Sequence, residues 1–272
     1  MLMVATQNKL VLTSDNYYSL EADRQYMSVS QLKNWLECEA RTLAEMKGIY
    51  TKPPNEAMVI GNYVHAAFES DAVFSQFVDE NNHIIFNNRG NKYAKYQQAD
   101  NMIDTIKNDK FSMFALNGEK EQIFTTEWLG IDWKIKVDAI NHSNNIFTDL
   151  KTCRDLNSRY YSEKYNDYVS FVEKWDYLMQ MAVYRKIIHL STGQYYTPYI
   201  VAVTKEDPPN KAVIHFDESR FDFEYEYVET ELERIMKVKN EEVAPIHCGK
   251  CEYCRKSKKL EGTIEVGELI YL

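Results

Sequence analysis

Apolar residues recur at helical spacing early in the chain. After the capping serines Ser28 and Ser30, the residues Leu32, Trp35, Leu36, Ala40, Leu43 and Met46 predict one amphipathic helix over 28–48, with Cys38 inside it. A second stripe, Val64, Ala67, Phe68, Val73 and Phe77, predicts a helix from about Met58 to Val78. That helix puts His65 and Glu69, four residues apart, on one face. From Ile123 the period drops to two. Ile123 to Leu129, Trp133 to Ile140 and Ile146 to Lys151 read as a meander of three strands, separated by the turn-forming Gly130-Ile-Asp and Asn141-His-Ser-Asn-Asn. Helical spacing returns over 166–190 through Tyr168, Phe171, Trp175, Leu178, Ala182, Tyr184 and Ile188. Strands at 195–204 and 211–216 follow, and a charged helix runs from Asp217 to about Val238. The predicted order is α, α, βββ, α, ββ, α. No repeat, low-complexity tract or Pro/Gly-rich linker divides it, so a single domain over 1–272 is expected, with the helical segment 28–48 and a cysteine cluster at 247–254 as appendages.

Strand alternation assigns faces to the charged residues. Asp149 and Lys151 share one side of their strand and Leu150 takes the other; in the preceding strand Ile135, Val137 and Ala139 form the apolar side, leaving Lys134, Lys136 and Asp138 opposite. A hairpin brings Asp138 beside Asp149. Two carboxylates so placed suit a hard divalent ion, and a neighbouring ammonium can orient or deprotonate an attacking water, which is phosphodiester hydrolysis in outline. Taken alone, Asp…Asp-x-Lys is a common pattern on solvated strand faces, so its meaning depends on what surrounds it.

Composition narrows the reading. With 44% hydrophobic residues in 272, the chain reads as globular. No apolar run approaches the roughly 20 residues that cross a bilayer, and the opening Met1 to Ala5 is too short for a signal-peptide core, so a cytoplasmic location is expected. The net charge of -9 argues mildly against nucleic acid, unless basic residues gather on one face and an acidic site waits for divalent cations. Of the five cysteines, Cys248, Cys251 and Cys254 have the spacing of a metal site rather than of a disulfide framework. A fourth ligand is needed, and Cys38 and His247 both qualify. Cys153 reads as a strand-end packing residue.

Val137-Asp138 followed by Asp149-Leu150-Lys151 resembles the Asp…(Asp/Glu)-x-Lys signature of the PD-(D/E)XK, restriction-endonuclease-like nucleases. Gly61-Asn-Tyr-Val-His65-Ala-Ala-Phe-Glu69 resembles the Gly-x-x-x-His-x-x-x-Glu helix of the RecB and RecE branch, and Gln180-x-x-x-Tyr184 its Gln-x-x-x-Tyr helix. The stretch from Tyr26 through Cys38 is similar to the segment that precedes the catalytic helix there. Each match has an ordinary structural explanation; their occurrence together and in order, over roughly residues 15 to 260, gives the resemblance its weight. Two departures are small: Val137 stands where the signature has proline, and Asp149 fills the Asp/Glu position.

The resemblance implies an α/β fold with a restriction-endonuclease-like core, a central mixed sheet flanked by helices. It implies DNA hydrolysis with Mg2+ or Mn2+, the metal held by His65, Asp138, Asp149 and the carbonyl of Leu150, with Lys151 positioning water. Glu69, Gln180 and Tyr184 would support those ligands or touch DNA. The overall similarity, cysteine tail included, is strongest to RecE-type exodeoxyribonucleases of phages and prophages. That implies a processive 5′-to-3′ exonuclease on linear duplex DNA in phage-type recombination, working as a homo-oligomer with a single-strand annealing protein as partner. If Cys38 completes the cysteine set, it resembles the ligands of a [4Fe–4S] cluster in some RecB-like nucleases, whose final spacing is usually longer; if His247 completes it, zinc follows. A single-strand nuclease bearing an iron–sulfur cluster and a catalytically silent DNA-binding scaffold stand as alternatives. The intact acid–acid–lysine set argues against the scaffold, which has no use for costly like charges held together.

Overall fold

The computed structural model describes residues 9–53, 55–260 and 262–267; the opening Met1 to Ala5 lies outside them. The chain groups into two compact units, Met1–Pro53 with Glu226–Leu272 and Pro54–Tyr225. No helix among the described residues is long and apolar enough to cross a membrane.

The second unit is built on a five-stranded mixed sheet. Its strands are β1 (Glu119–Trp128), β2 (Ile131–Asn141), β3 (Ile146–Cys153), β6 (Thr197–Thr204) and β7 (Lys211–His215), in the order β1-β2-β3-β6-β7. The first three form the expected antiparallel meander; β3 pairs parallel with β6, and β7 returns antiparallel. β3 and β6 are buried along most of their length because they are covered on both faces, which a parallel pair requires. On one face, Leu150, Val201 and Val203 pack with Ile60, Val64 and Ala67 of α4 (Glu56–Glu69) and with Ala99, Met102 and Ile106 of α7 (Ala94–Lys107). On the other, α10 (Tyr177–Thr192) runs against β1, β2 and β6. The crossover from β3 to β6 also contains a small hairpin, β4 (Tyr160–Ser162) with β5 (Asp167–Val169), and the short helix α9 (Phe171–Lys174).

Several expectations need correction. The helix predicted over 28–48 is two helices, α2 (Val29–Glu37) and α3 (Glu39–Met46), in the first unit; the chain is extended at Cys38, which ends one and caps the other, its sulfur accepting from Arg41 N. The helix predicted over 58–78 likewise divides into α4 and α5 (Asp71–Glu80), because the Ser70 hydroxyl accepts from Val73 N as a new cap. In both cases the apolar stripe continues across a break made by a capping side chain. The helix predicted from 166 begins only as the short α9 at Phe171 and resumes as α10 at Tyr177, since Tyr168 lies in β5. Periodicity also overlooked α7, although Tyr96, Ala99, Met102, Ile103 and Ile106 give it an apolar stripe at helical spacing, and α8 (Lys110–Ala115), which at six residues is too short to show one.

The first unit contains α1 (Leu20–Gln25), α2, α3, most of α11 (Phe221–Lys239) and α12 (Glu252–Ser257). The cysteines lie at two of its helix junctions.

Candidate active site and cysteine centre

The register that carries β2 along β3 ends at Ala139↔Thr148. One step further would place Asp138 opposite Asp149, and there the ladder stops, so the strands part where the carboxylates are. Asp138 fills the gap by accepting from the Leu150 backbone N–H at 2.7 Å. His65, carried over β3 by α4, brings Nδ1 to 3.3 Å from the same Asp138 oxygen. Asp149 points towards α10, where its Oδ1 accepts from Gln180 Nε2 at 2.7 Å and its Oδ2 lies 2.5 Å from Lys151 Nζ. Lys151 is also stacked over the Tyr177 ring, 4.9 Å from its centre.

His65, Glu69, Phe68, Leu116, Lys120, Glu121, Asp138 and Leu150 line one cleft. Glu121 has no signature in the sequence, yet it faces Asp138 between the paired positions Lys120↔Ala139 and Gln122↔Val137. Its backbone takes φ 53°, left-handed for a non-glycine residue, a strain of order 1 kcal/mol or more of the kind that collects at functional sites. Lys136 Nζ holds its carboxylate at 2.5 Å. The turn entering β1 depends on Gly118: a Cβ there would lie 2.2 Å from Ile140 O.

Burial and like charge set the electrostatics. Burial, then the Asp149 charge, pushes the Asp138 carboxyl up to about 6, against the pull of His65 and Lys151. Lys151 loses hydration too, but Asp149 and Asp138 outweigh that loss and hold its proton more firmly than usual. Burial followed by Glu121 raises Glu69. Asp149 is only 3% exposed, so truncating it or Lys151 would strand a buried partner, whereas the sequence suggests surface-like polar groups. Tyr184 meets Phe147 on α10's sheet-facing side, ring centres 6.5 Å apart; Gln180, one turn earlier, is the member of that motif that touches a site carboxylate. Tyr177 was not singled out by its sequence, since an aromatic at helical spacing reads as core.

The chemistry of this donor set, hard oxygens with one imidazole, fits a divalent metal, and the upward push on Asp138, from burial first and the Asp149 charge second, is one that a cation would relieve.

In the first unit, Cys38, Cys248, Cys251 and Cys254 form the one such set among the described residues whose ligand atoms all lie within 4.8 Å of one another. Measured distances are 3.4 Å from Cys38 Sγ to Cys254 Sγ, 3.8 Å from Cys251 to Cys38 and 3.9 Å from Cys248 to Cys254. The backbone N–H groups of Arg41, Cys251 and Cys254 donate to Cys38, Cys248 and Cys251. Burial disfavours the Cys248 thiolate, but N–H donors from Cys251 and Lys250 prevail and bring it down to about 6. Burial drives Cys254 up to about 12. Cys38 therefore occupies the fourth corner, and His247 Nδ1 stands 3.6 Å from Cys254 Sγ, alongside a complete set. Cys153 is buried at the end of β3, in the second unit, with its thiol pushed up to about 12 by burial.

The sequence from residue 28 to 257 matches the family described as PDDEXK-like domain of unknown function (DUF3799). A protein from Eubacterium rectale, whose crystal structure names it "Putative exonuclease", aligns over 96% of this chain and 98% of its own, with 32% identity and a TM-score of 0.90. Another solved structure, SSO0001, aligns over 82% of this chain and 93% of its own at 16% identity and a TM-score of 0.27, too low to carry an argument. No curated protein matches the sequence. The five-stranded mixed sheet flanked by helices, the split between β2 and β3 that carries Asp138, Asp149 and Lys151, and the match over 28–257 place this chain in the PDDEXK-like family, with a restriction-endonuclease-like fold.

Proposed function

We propose that this chain is a metal-dependent deoxyribonuclease that digests linear duplex DNA from its ends, in the 5′-to-3′ direction, within phage-type recombination. The observation that carries the reading is the meeting of Asp138, Asp149, Lys151 and His65 where β2 leaves β3. His65, Asp138, Asp149 and the Leu150 carbonyl hold Mg2+ or Mn2+, which supplies Lewis-acid stabilisation of the charge that builds up on the phosphate. Lys151, kept protonated by two carboxylates, orients the attacking water and shields the entering anion from them. Gln180 fixes the rotamer of Asp149, and Glu69 stands across the cleft as a proton acceptor or DNA contact. A homo-oligomer closing around its product, supplying a single-strand annealing protein, would make digestion processive.

The cysteine centre is a zinc site in this reading. Four sulfurs around one tetrahedral ion at about 2.3 Å stand about 3.8 Å apart; three pairs here lie at 3.4, 3.8 and 3.9 Å, and the whole set lies within 4.8 Å. On a [4Fe–4S] cluster each sulfur caps a different iron and the sulfurs stand well apart. The spacing favours zinc on Cys38, Cys248, Cys251 and Cys254 over both the iron–sulfur cluster and a His247 ligand.

The test is digestion of end-labelled linear duplex beside covalently closed circles. Release of nucleotides from the linear form in Mg2+, with the circles surviving, is expected. Rapid cutting of circles removes the exonuclease part of the reading, and a label released first from the 3′ end reverses its polarity.

A further inference from the structure

Three residues, Phe68, Leu116 and Lys120, line two recesses at once. One is the carboxylate cleft that also contains His65 and Asp138; the other is a cavity of about 280 Å³ that the proposed chemistry leaves unused. Both lie wholly within the second unit. The cavity sits where α4, the end of α7 and α8 meet the start of β1.

Its floor is apolar: Phe68 near the end of α4, Met113 of α8 and the buried Leu116. Lys107, the last residue of α7, is exposed and holds Nζ 5.9 Å from the centre of the Phe68 ring. Lys120 enters from β1, half-buried, its Nζ donating to the Leu116 carbonyl. An ordinary strand sends neighbours to opposite faces, yet the left-handed backbone at Glu121 lets Lys120 and Glu121 line the carboxylate cleft together. Lys120 thus stands on the boundary between the two recesses. Gly118 leaves one stretch of wall as bare backbone, because a Cβ there would collide with the Ile140 carbonyl.

Size and charge together select the ligand. Sites for small molecules span roughly 300–1,000 Å³, so the cavity takes one small ligand and not a length of folded chain. Lys107 and Lys120 face one carboxylate, Asp71, two positive charges against one negative in a chain of net charge -9. The cavity of about 300 Å³ in the first unit has the opposite balance, Glu37, Glu39 and Glu231 against Arg234. Of the two, the cavity that adjoins the carboxylates is the one suited to an anion. An ammonium over an aromatic ring, with apolar side chains beneath, asks for an anionic group on a flat, largely apolar body. A nucleotide has both, and phosphodiester cleavage in the adjoining cleft produces nucleotides.

We propose that this cavity is a mononucleotide subsite, which seats the base and sugar of a nucleotide over Phe68, Met113 and Leu116 and its phosphate between Lys107 and Lys120. This rests on the nuclease reading above and sharpens it: the nucleotide adjoining the scissile phosphate has a pocket of its own, and Lys120 at the boundary lies on the path from that pocket to the carboxylates.

Ligand-observed NMR titration of the full chain with thymidine 5′-monophosphate, thymidine and inorganic phosphate, no divalent metal added, tests the pocket without cleavage. In the absence of metal the carboxylate cleft repels phosphate, so the signal reports on the cavity. Wild type is expected to bind the monophosphate more tightly than either of its parts. Lys107→Glu, at an exposed position, is expected to bind the monophosphate at least about tenfold more weakly, the loss of a charge-assisted hydrogen bond, and to treat thymidine as wild type does. Met113→Ser is expected to weaken monophosphate and thymidine alike. No binding of the monophosphate by wild type, binding no tighter than that of inorganic phosphate or of thymidine, or unchanged affinity in either variant overturns the proposal. Should Lys107→Glu unfold, Lys107→Gln makes the same comparison. Wild type that binds the monophosphate in this pattern but releases no label from DNA in Mg2+ or Mn2+ overturns the nuclease reading and leaves the pocket standing. Wild type that digests DNA while both variants bind the monophosphate normally does the reverse.

Discussion

The four cysteines of the first unit already stand at ligand spacing, whereas the acids of the second do not close on a common point. Thiols carry no net charge when protonated and gather without repulsion, aided by backbone N–H donors from Arg41, Cys251 and Cys254. Carboxylates resist the same approach. Asp138 turns to Leu150 N–H and His65, Asp149 turns to Lys151 and Gln180, and burial, with the Asp149 charge after it, still pushes Asp138 upward. One set is closed, as a structural ion would need; in the other each carboxylate is engaged by different partners, as the proposed reading would need of a site open to substrate and metal. Four predictions set this comparison at risk.

The largest effect is expected at the cysteines. Purified protein should be colourless and contain one zinc per chain. Cys38→Ser should lose most of it and melt at a clearly lower temperature, since structural zinc contributes on the order of 10 kcal/mol where it organises a small fold. His247→Ala should keep the metal. Iron with a broad absorption near ~400 nm would replace zinc by a cluster and remove the contrast between the sites.

Next come the site acids and lysine. Asp149→Asn and Lys151→Met should each slow DNA hydrolysis on the order of 10²–10⁴-fold, the range associated with positioned acid–base groups. These shape-preserving changes are preferable to alanine because they leave no cavity in a buried pair; the partner charge is stranded in either case. Wild-type rates in either variant would remove the residue from the site.

Asp138 gives a stability signature of opposite sign to most carboxylates. Its folded value of about 6 lies above the unfolded one, so the folded state holds the proton more tightly. The associated stability is fully present below about pH 4 and is lost as pH rises through about 6. Metal-free Asp138→Asn should therefore be more stable than wild type at pH 8, by on the order of 2–3 kcal/mol, with the difference vanishing near pH 4. Thermal melts across that window check it, and a variant less stable than wild type at pH 8 would show that burial and the Asp149 charge do not hold the Asp138 carboxyl above its ordinary value.

The smallest effects separate two residues that the sequence grouped together. Gln180→Ala removes the hydrogen bond to Asp149 and should cost roughly tenfold in rate. Tyr184→Phe, which retains the ring against Phe147, should cost less. Reversal of that order would mean that the tyrosine hydroxyl reaches the substrate.

Much of this was readable beforehand because strand alternation is strict: a period of two sends Asp149 and Lys151 to α10 and Leu150 to the α4–α7 core. The meander, β6, β7 and the charged helix followed from the same patterning. The breaks at Cys38 and Ser70 were hidden because a single capping side chain interrupts a helix without disturbing its apolar stripe. Glu121 and Tyr177 were hidden for another reason: one owes its place to a left-handed residue within β1 and the other to a contact between α10 and Lys151, and neither leaves a local pattern. Cys38, the fourth sulfur of the cysteine set, lies more than 200 residues from the other three, so its proximity to them needed three-dimensional distance.

The most direct test of the account compares zinc-loaded wild-type protein with Asp149→Asn on end-labelled linear duplex DNA, with Mg2+ and with the Mg2+ omitted. The account predicts rapid release of label by wild type in Mg2+, none without it, and at least a hundredfold less by the variant. Folded, zinc-loaded wild type that releases no label with Mg2+ or Mn2+, or a variant that digests as fast as wild type, would contradict it.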